Sequence, residues 1–173
     1  MKLLKPDNET AMKYDFMLLE KYKVNWKRSY RFQQELSNQE IIEQGDMDDF
    51  EYYKTIQKEA HYNYYLVEDD GTIIGRAKVE KRGDSIAIEY MRIEEEKRNM
   101  GYGREFVKLI EQDIFSNSEV PGIRFEDASA NMETSKIAKE NGYEETASRQ
   151  FFKPNPNFKG NKSKGELPDE QEK

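Results

Sequence analysis

The chain has 173 residues, of which 35% are hydrophobic, and a formal net charge of -7 at pH 7. That length allows one domain with a sizeable core. Acidic and basic residues are interspersed, without the basic stripe that a phosphate backbone requires, so nucleic acid is not an expected partner. Cysteine is absent and His61 is the only histidine, which excludes disulfides, a thiol nucleophile and a thiolate- or imidazole-built metal site. No apolar run is long enough to span a bilayer and the first residues lack a secretory pattern, so no membrane is expected and the default address is the cytoplasm.

The first residues, 1–5, read as a short strand broken by Pro6, after which Met12, Phe16 and Leu19 recur at helical spacing over residues 10–23. Helical patterning continues over residues 30–44, stopping at Gly45, and again up to Ala60 after a cap at Asp46 or Asp48. Trp26, Tyr30 and Phe32 fall between the first two helices, where packing is the favoured reading. From Tyr62 the period turns extended: residues 62–67, a turn at Asp70-Gly71, residues 72–80, a tight turn at Arg82-Gly83-Asp84, and residues 85–93 form an antiparallel meander. His61, at the head of that stretch, reads as a surface or edge residue.

The segment Arg98-Asn-Met-Gly101-Tyr-Gly103 follows this third strand and opens a helix over residues 104–114. Glycines at such a bend let backbone N–H groups approach an anion, and the helix behind adds partial positive charge. By itself a turn with two glycines is a weak signal, because plain turn chemistry has the same appearance. A strand over residues 123–128, a helix over 134–141 closed by Gly142, and a last strand over 146–153 complete the pattern. Residues 1–155 are expected to form one domain, and residues 156–173, almost wholly polar, a disordered tail. The Glu94-Glu-Glu96 run reads as a solvated loop.

This order of elements resembles the GNAT superfamily of N-acetyltransferases over about residues 1–153. The resemblance rests on Ile88-Glu89-Tyr90-Met91-Arg92-Ile93 followed by Arg98-Asn-Met-Gly101-Tyr-Gly103, and on Asn131 with Asn141-Gly142-Tyr143 at the spacing the family uses. It implies an α+β, three-layer fold, with a mixed and mostly antiparallel central sheet flanked by helices on both faces. It implies acetyl-CoA, or another acyl-coenzyme A, as co-substrate with no metal, and a primary amine as acceptor. Its pyrophosphate would lie on Arg98, Asn99, Met100, Gly101, Tyr102, Gly103 and Arg104, with Asn131 as a further contact. Its pantetheine arm would run along Met91, Arg92 and Ile93, beside a bulged strand that splays from its parallel neighbour.

Glu89 matches the glutamate that several family members use, through water, to take the amine proton, and it is the expected general base; a salt-bridged strand residue is the bland alternative. By strand alternation it would share a face with Met91 and Ile93. One departure stands out: the tyrosine that many members carry seven residues after the asparagine is Ala138 here. Ser135 or Tyr143 could substitute as acid, with core packing the commoner role for Tyr143. A catalytically silent coenzyme A-binding or protein-interaction module on the same fold is therefore the alternative function. The oligomeric state is left open, a homodimer being one option.

Overall fold

A computed structural model describes residues 1–39, 42–126, 132–147 and 150–159. The chain divides into two compact units, residues 5–63 and residues 1–4 with 64–173.

The larger unit is a seven-stranded sheet in the order β1-β2-β3-β4-β5-β7-β6. Its strands are β1 (Lys2–Leu4), β2 (Tyr64–Val67), β3 (Ile73–Arg82), β4 (Ser85–Ile93), β5 (Gly122–Phe125), β6 (Glu144–Ala147) and β7 (Gln150–Pro154). Among the described residues only the β4–β5 pair is parallel; the others run antiparallel. The mixed, mostly antiparallel architecture is the expected one. The single last strand expected over residues 146–153 is instead the hairpin β6–β7, whose register partners Ala147 and Gln150 mark the reversal. Phe151 and Phe152 supply apolar weight only to the second arm, while β6 is exposed along its length.

Helix α4 (Tyr102–Phe115) carries a stripe of Phe106, Val107, Ile110 and Ile114 at helical spacing. That stripe lies in one core with Leu66, Ala77, Val79, Ile88, Ile123 and Phe125 from the sheet and Ala138 from helix α5 (Met132–Glu140). Gly103 matters here, since a Cβ on it would sit 2.5 Å from Ile137 Cδ1, so its missing side chain lets α5 approach α4.

The smaller unit holds helices α1 (Asn8–Lys21), α2 (Tyr30–Ser37) and α3 (Asp49–Gln57). Asp7, Ser29 and Asp48 cap their N-termini through side-chain oxygens. α2 stops well short of Gly45, because Asn38 closes it by donating its N–H to the Gln34 and Leu36 carbonyls. The core of this unit is aromatic: Trp26 meets Phe16, Phe32 and Tyr53 edge-on, with ring centroids 5.6, 5.2 and 5.4 Å away. Trp26 and Phe32 are thus packing residues, as favoured, whereas Tyr30 is exposed. Asn8 ties α1 to the end of α3, donating to Lys58 O at 2.7 Å and accepting from Ala60 N at 2.8 Å. His61 is half-buried; its N–H donates to the buried Asp15 carboxylate at 2.7 Å and its ring lies 3.3 Å from Gln57.

Among the described residues no helix is long and apolar enough to cross a membrane. The expected tail falls largely outside the described residues, as does Asn131.

Candidate functional site

The bend between β4 and α4 is built from two left-handed residues. Asn99 has φ +63° and Gly101 φ +85°, a region that asparagine tolerates and glycine occupies without strain. Gly101 is the N-cap of α4 and contributes no side-chain oxygen, so the first N–H groups of the helix have no cap from that residue. Donors of this kind, at the positive end of the helix dipole, suit an anion. A Cβ on Gly101 would meet nothing within 4 Å, so the backbone there is open to approach. Gly103 differs: it is buried and serves helix packing. Met100, Arg98 and Arg104 are exposed, and Tyr102 is half-buried against the core.

The base of the bend is pinned from several sides. Arg98 Nε donates to Ile93 O at 3.0 Å, Glu94 N to Ile74 O at 2.8 Å, and Lys97 pairs with Glu68 at 2.9 Å. Glu68 holds the Lys97 ammonium above the ordinary lysine range, chiefly through this hydrogen bond. Glu94 corrects the expectation of a solvated acidic loop: it is buried, with Arg76 Nε at 3.7 Å, while Glu95 and Glu96 remain exposed. A buried carboxylate needs such a partner, and a plain acidic run gives no sign of it.

The pairing of β4 with β5 is described as far as Glu126. Their register covers Ile86↔Ile123, Ala87↔Arg124 and Ile88↔Phe125, extended by Glu126 N donating to Ile88 O at 3.1 Å. β4 continues through Met91, Arg92 and Ile93, paired with β3 alone among the described residues. The splay expected beside those three residues turns on residues 127–131 and so lies outside the described residues.

The bulge is present, and it falls on Glu89. Lys78 pairs with Tyr90 and Val79 with Ile88, so Glu89 is the extra residue of β4. The bulge breaks the alternation: Ile86 and Ile88 face the α4 core before it, Met91 and Ile93 after it. The expectation that Glu89 shares a face with Met91 and Ile93 is therefore corrected. Its carboxylate is paired with the Arg82 guanidinium, and Arg82, like Lys78 and Glu80, alternates with the core residues Ala77 and Val79 and so lies on the opposite face. Arg82 Nε is also 3.5 Å from Glu126, and its Nη1 3.8 Å from Glu80.

Arg82 and Glu126 were missed by sequence reasoning. The polar alternation Lys78, Glu80, Arg82 was the available signal, but the turn at Gly83 absorbed it. Ala138 is fully buried in the core, and Ser135 is half-buried on α5. Tyr143 is buried edge-on against Phe125, centroids 5.5 Å apart, and burial, aided by the Glu111 charge, pushes its hydroxyl pKa far up. It packs, as the commoner reading had it. Among the described residues no three potential ligands come together to hold a metal ion.

A helix N-terminus set behind a left-handed bend, at the end of a long strand in a mixed and mostly antiparallel sheet, is the layout expected of this fold. Residues 25–143 match the acetyltransferase (GNAT) family profile, and the chain belongs to that family. Similar solved structures include the KacTA–DNA complex, at 16% identity over 62% of this chain and 77% of that one, with a TM-score of 0.47. AtaTR bound with AcCoA is 15% identical over 53% of this chain and 66% of that one, with a TM-score of 0.43. The ribosomal-protein-S18-alanine N-acetyltransferase from Escherichia coli is 12% identical over 62% and 77%, with a TM-score of 0.47. No curated protein matches.

Proposed function

We propose that this chain transfers an acyl group, acetyl in the first instance, from acyl-coenzyme A to a primary amine by direct attack in a ternary complex. Family membership supports acetyl transfer in general. The observation that carries the reading to this chain is the left-handed bend at Asn99 and Gly101, which opens α4 without a side-chain cap directly after β4.

The residues fit the co-substrate. The opening amides of α4, with Asn99 and Gly101 shaping the bend, would hold the pyrophosphate; Arg98 and Arg104 add positive charge nearby in sequence. The backbone of Met91, Arg92 and Ile93 would receive the amide-rich arm as an added strand. Bound there, acyl-coenzyme A supplies an activated thioester. Glu89 takes the proton from the attacking nitrogen, through water, since an ammonium has no lone pair to attack with. With no cysteine in the chain, no thiol is available to carry the acyl group.

Burial of Ala138 favours one second reading, a coenzyme A-binding module without turnover, because that position offers the leaving thiolate no hydroxyl. Two measurements decide. Acetyl-CoA at about 100-fold over its dissociation constant should stabilise the protein by roughly 2.7 kcal/mol. Thiol release across an amine panel, read with a thiol reagent, should show turnover. Stabilisation without thiol release would leave the silent module, and neither effect would refute both readings.

A further inference from the structure

The sheet face opposite the α4 core carries charges that acyl transfer by Glu89 alone does not account for. Arg82, the last residue of β3, is 45% exposed at its side chain, yet it reaches Glu89, whose side chain is 11% exposed. Its Nε also lies 3.5 Å from Glu126. Those two acids stand at the end of the described β4–β5 pairing: Glu89 is the bulged residue of β4, and Glu126 follows β5 with its N–H on Ile88 O at 3.1 Å. Arg124, from β5, approaches Glu126 at 3.8 Å and closes the network.

A guanidinium presents five donors in a rigid fork and can hold two carboxylates at once. A bulge redirects a side chain without fixing its rotamer. Without Arg82, Glu89 would keep three torsions to settle and two acidic neighbours, Glu80 and Glu126, to repel it.

We propose that Arg82 is a positioning residue: it holds the Glu89 carboxylate at the β4 bulge, beside Glu126, from where the carboxylate serves as base. This rests on Glu89 as the base of the proposed reaction. Arg82 touches no reacting atom in this scheme and acts through Glu89.

The test is a kinetic cycle on the full chain, with acetyl-CoA and the best amine of the panel, comparing the parent, Arg82→Ala, Arg82→Lys, Glu89→Gln and the double variant Arg82→Ala with Glu89→Gln. Loss of the base should lower kcat on the order of 100-fold. Arg82→Ala should lower kcat roughly tenfold, with KM for acetyl-CoA within about twofold, and Arg82→Lys should recover part of that loss. In the Glu89→Gln background, Arg82→Ala should have no further effect. An equal fold-loss from Arg82→Ala in both backgrounds would show a merely structural role and overturn the proposal. Full-speed Arg82→Ala beside a slow Glu89→Gln would overturn it alone, whereas a full-speed Glu89→Gln would remove the base reading as well. Should Arg82→Ala lower the folded fraction, Arg82→Gln, which keeps most of the stem, replaces it in the cycle.

Discussion

Replacing Gly101 with alanine separates backbone strain from ligand binding. The new Cβ would meet nothing within 4 Å, so the free protein suffers no clash. The whole cost lies in φ +85°, which an L-residue adopts at about 1–2 kcal/mol. For a chain of this size, that is a fall in Tm of roughly 2–8 °C. Gly71, in the β2–β3 turn, has φ +91° and equally open surroundings, so Gly71→Ala is the matched control. Both variants should lose similar stability by denaturant unfolding. Calorimetry with acetyl-CoA should then separate them: Gly101→Ala should weaken binding roughly tenfold, about 1.4 kcal/mol, through a displaced amide and an intruding methyl group, while Gly71→Ala should bind as the parent does. Unaltered affinity in Gly101→Ala, or an equal loss in both, would refute the assignment of the bend to the pyrophosphate.

Gly103→Val should destabilise by about 1–3 kcal/mol, because even its Cβ meets Ile137 Cδ1 at 2.5 Å; an unchanged midpoint in denaturant would mean that α5 yields freely. Tyr143→Phe should keep turnover within about twofold and stability at pH 7 within about 1 kcal/mol, since the ring stays packed on Phe125 and one hydroxyl is worth about that much; a large loss of kcat would restore it as the acid. Burial raises the hydroxyl pKa of both Tyr64 and Tyr143, assisted by Asp113 and Glu111 respectively. The folded state therefore retains protons that the unfolded chain releases above pH ~10, so stability contributed below that pH falls as pH rises further. Phenylalanine at either position should flatten the alkaline slope, measured as unfolding free energy against pH.

The meander, the bend and α4 were legible because local rules govern them: strand alternation, turn glycines and a helical stripe. β4 falls on its expected residues, 85–93, and Asp48 caps α3 as one of two candidates. The features that surround the site were not legible, because partners distant in sequence decide them. Nothing in Ile88-Glu89-Tyr90 reveals that Val79 and Lys78 pair with its outer residues and leave Glu89 over. Glu94 looks like its two neighbours until Arg76 is brought against it. The hairpin of β6 and β7 hid behind two phenylalanines that made a single strand plausible. The aromatic cluster around Trp26 read as connection packing, whereas it is the core of a separate unit.

β1 and β2 are neighbours in the sheet, with Leu4 opposite Tyr65. The chain thus departs at one strand and re-enters at the next, a gap of about 4.8 Å. Everything between leaves and returns through two adjacent strands, so a single antiparallel ladder holds both crossing points. Fraying at that one ladder would loosen the exit and the return of the chain together, because Leu4 and Tyr65 share a rung.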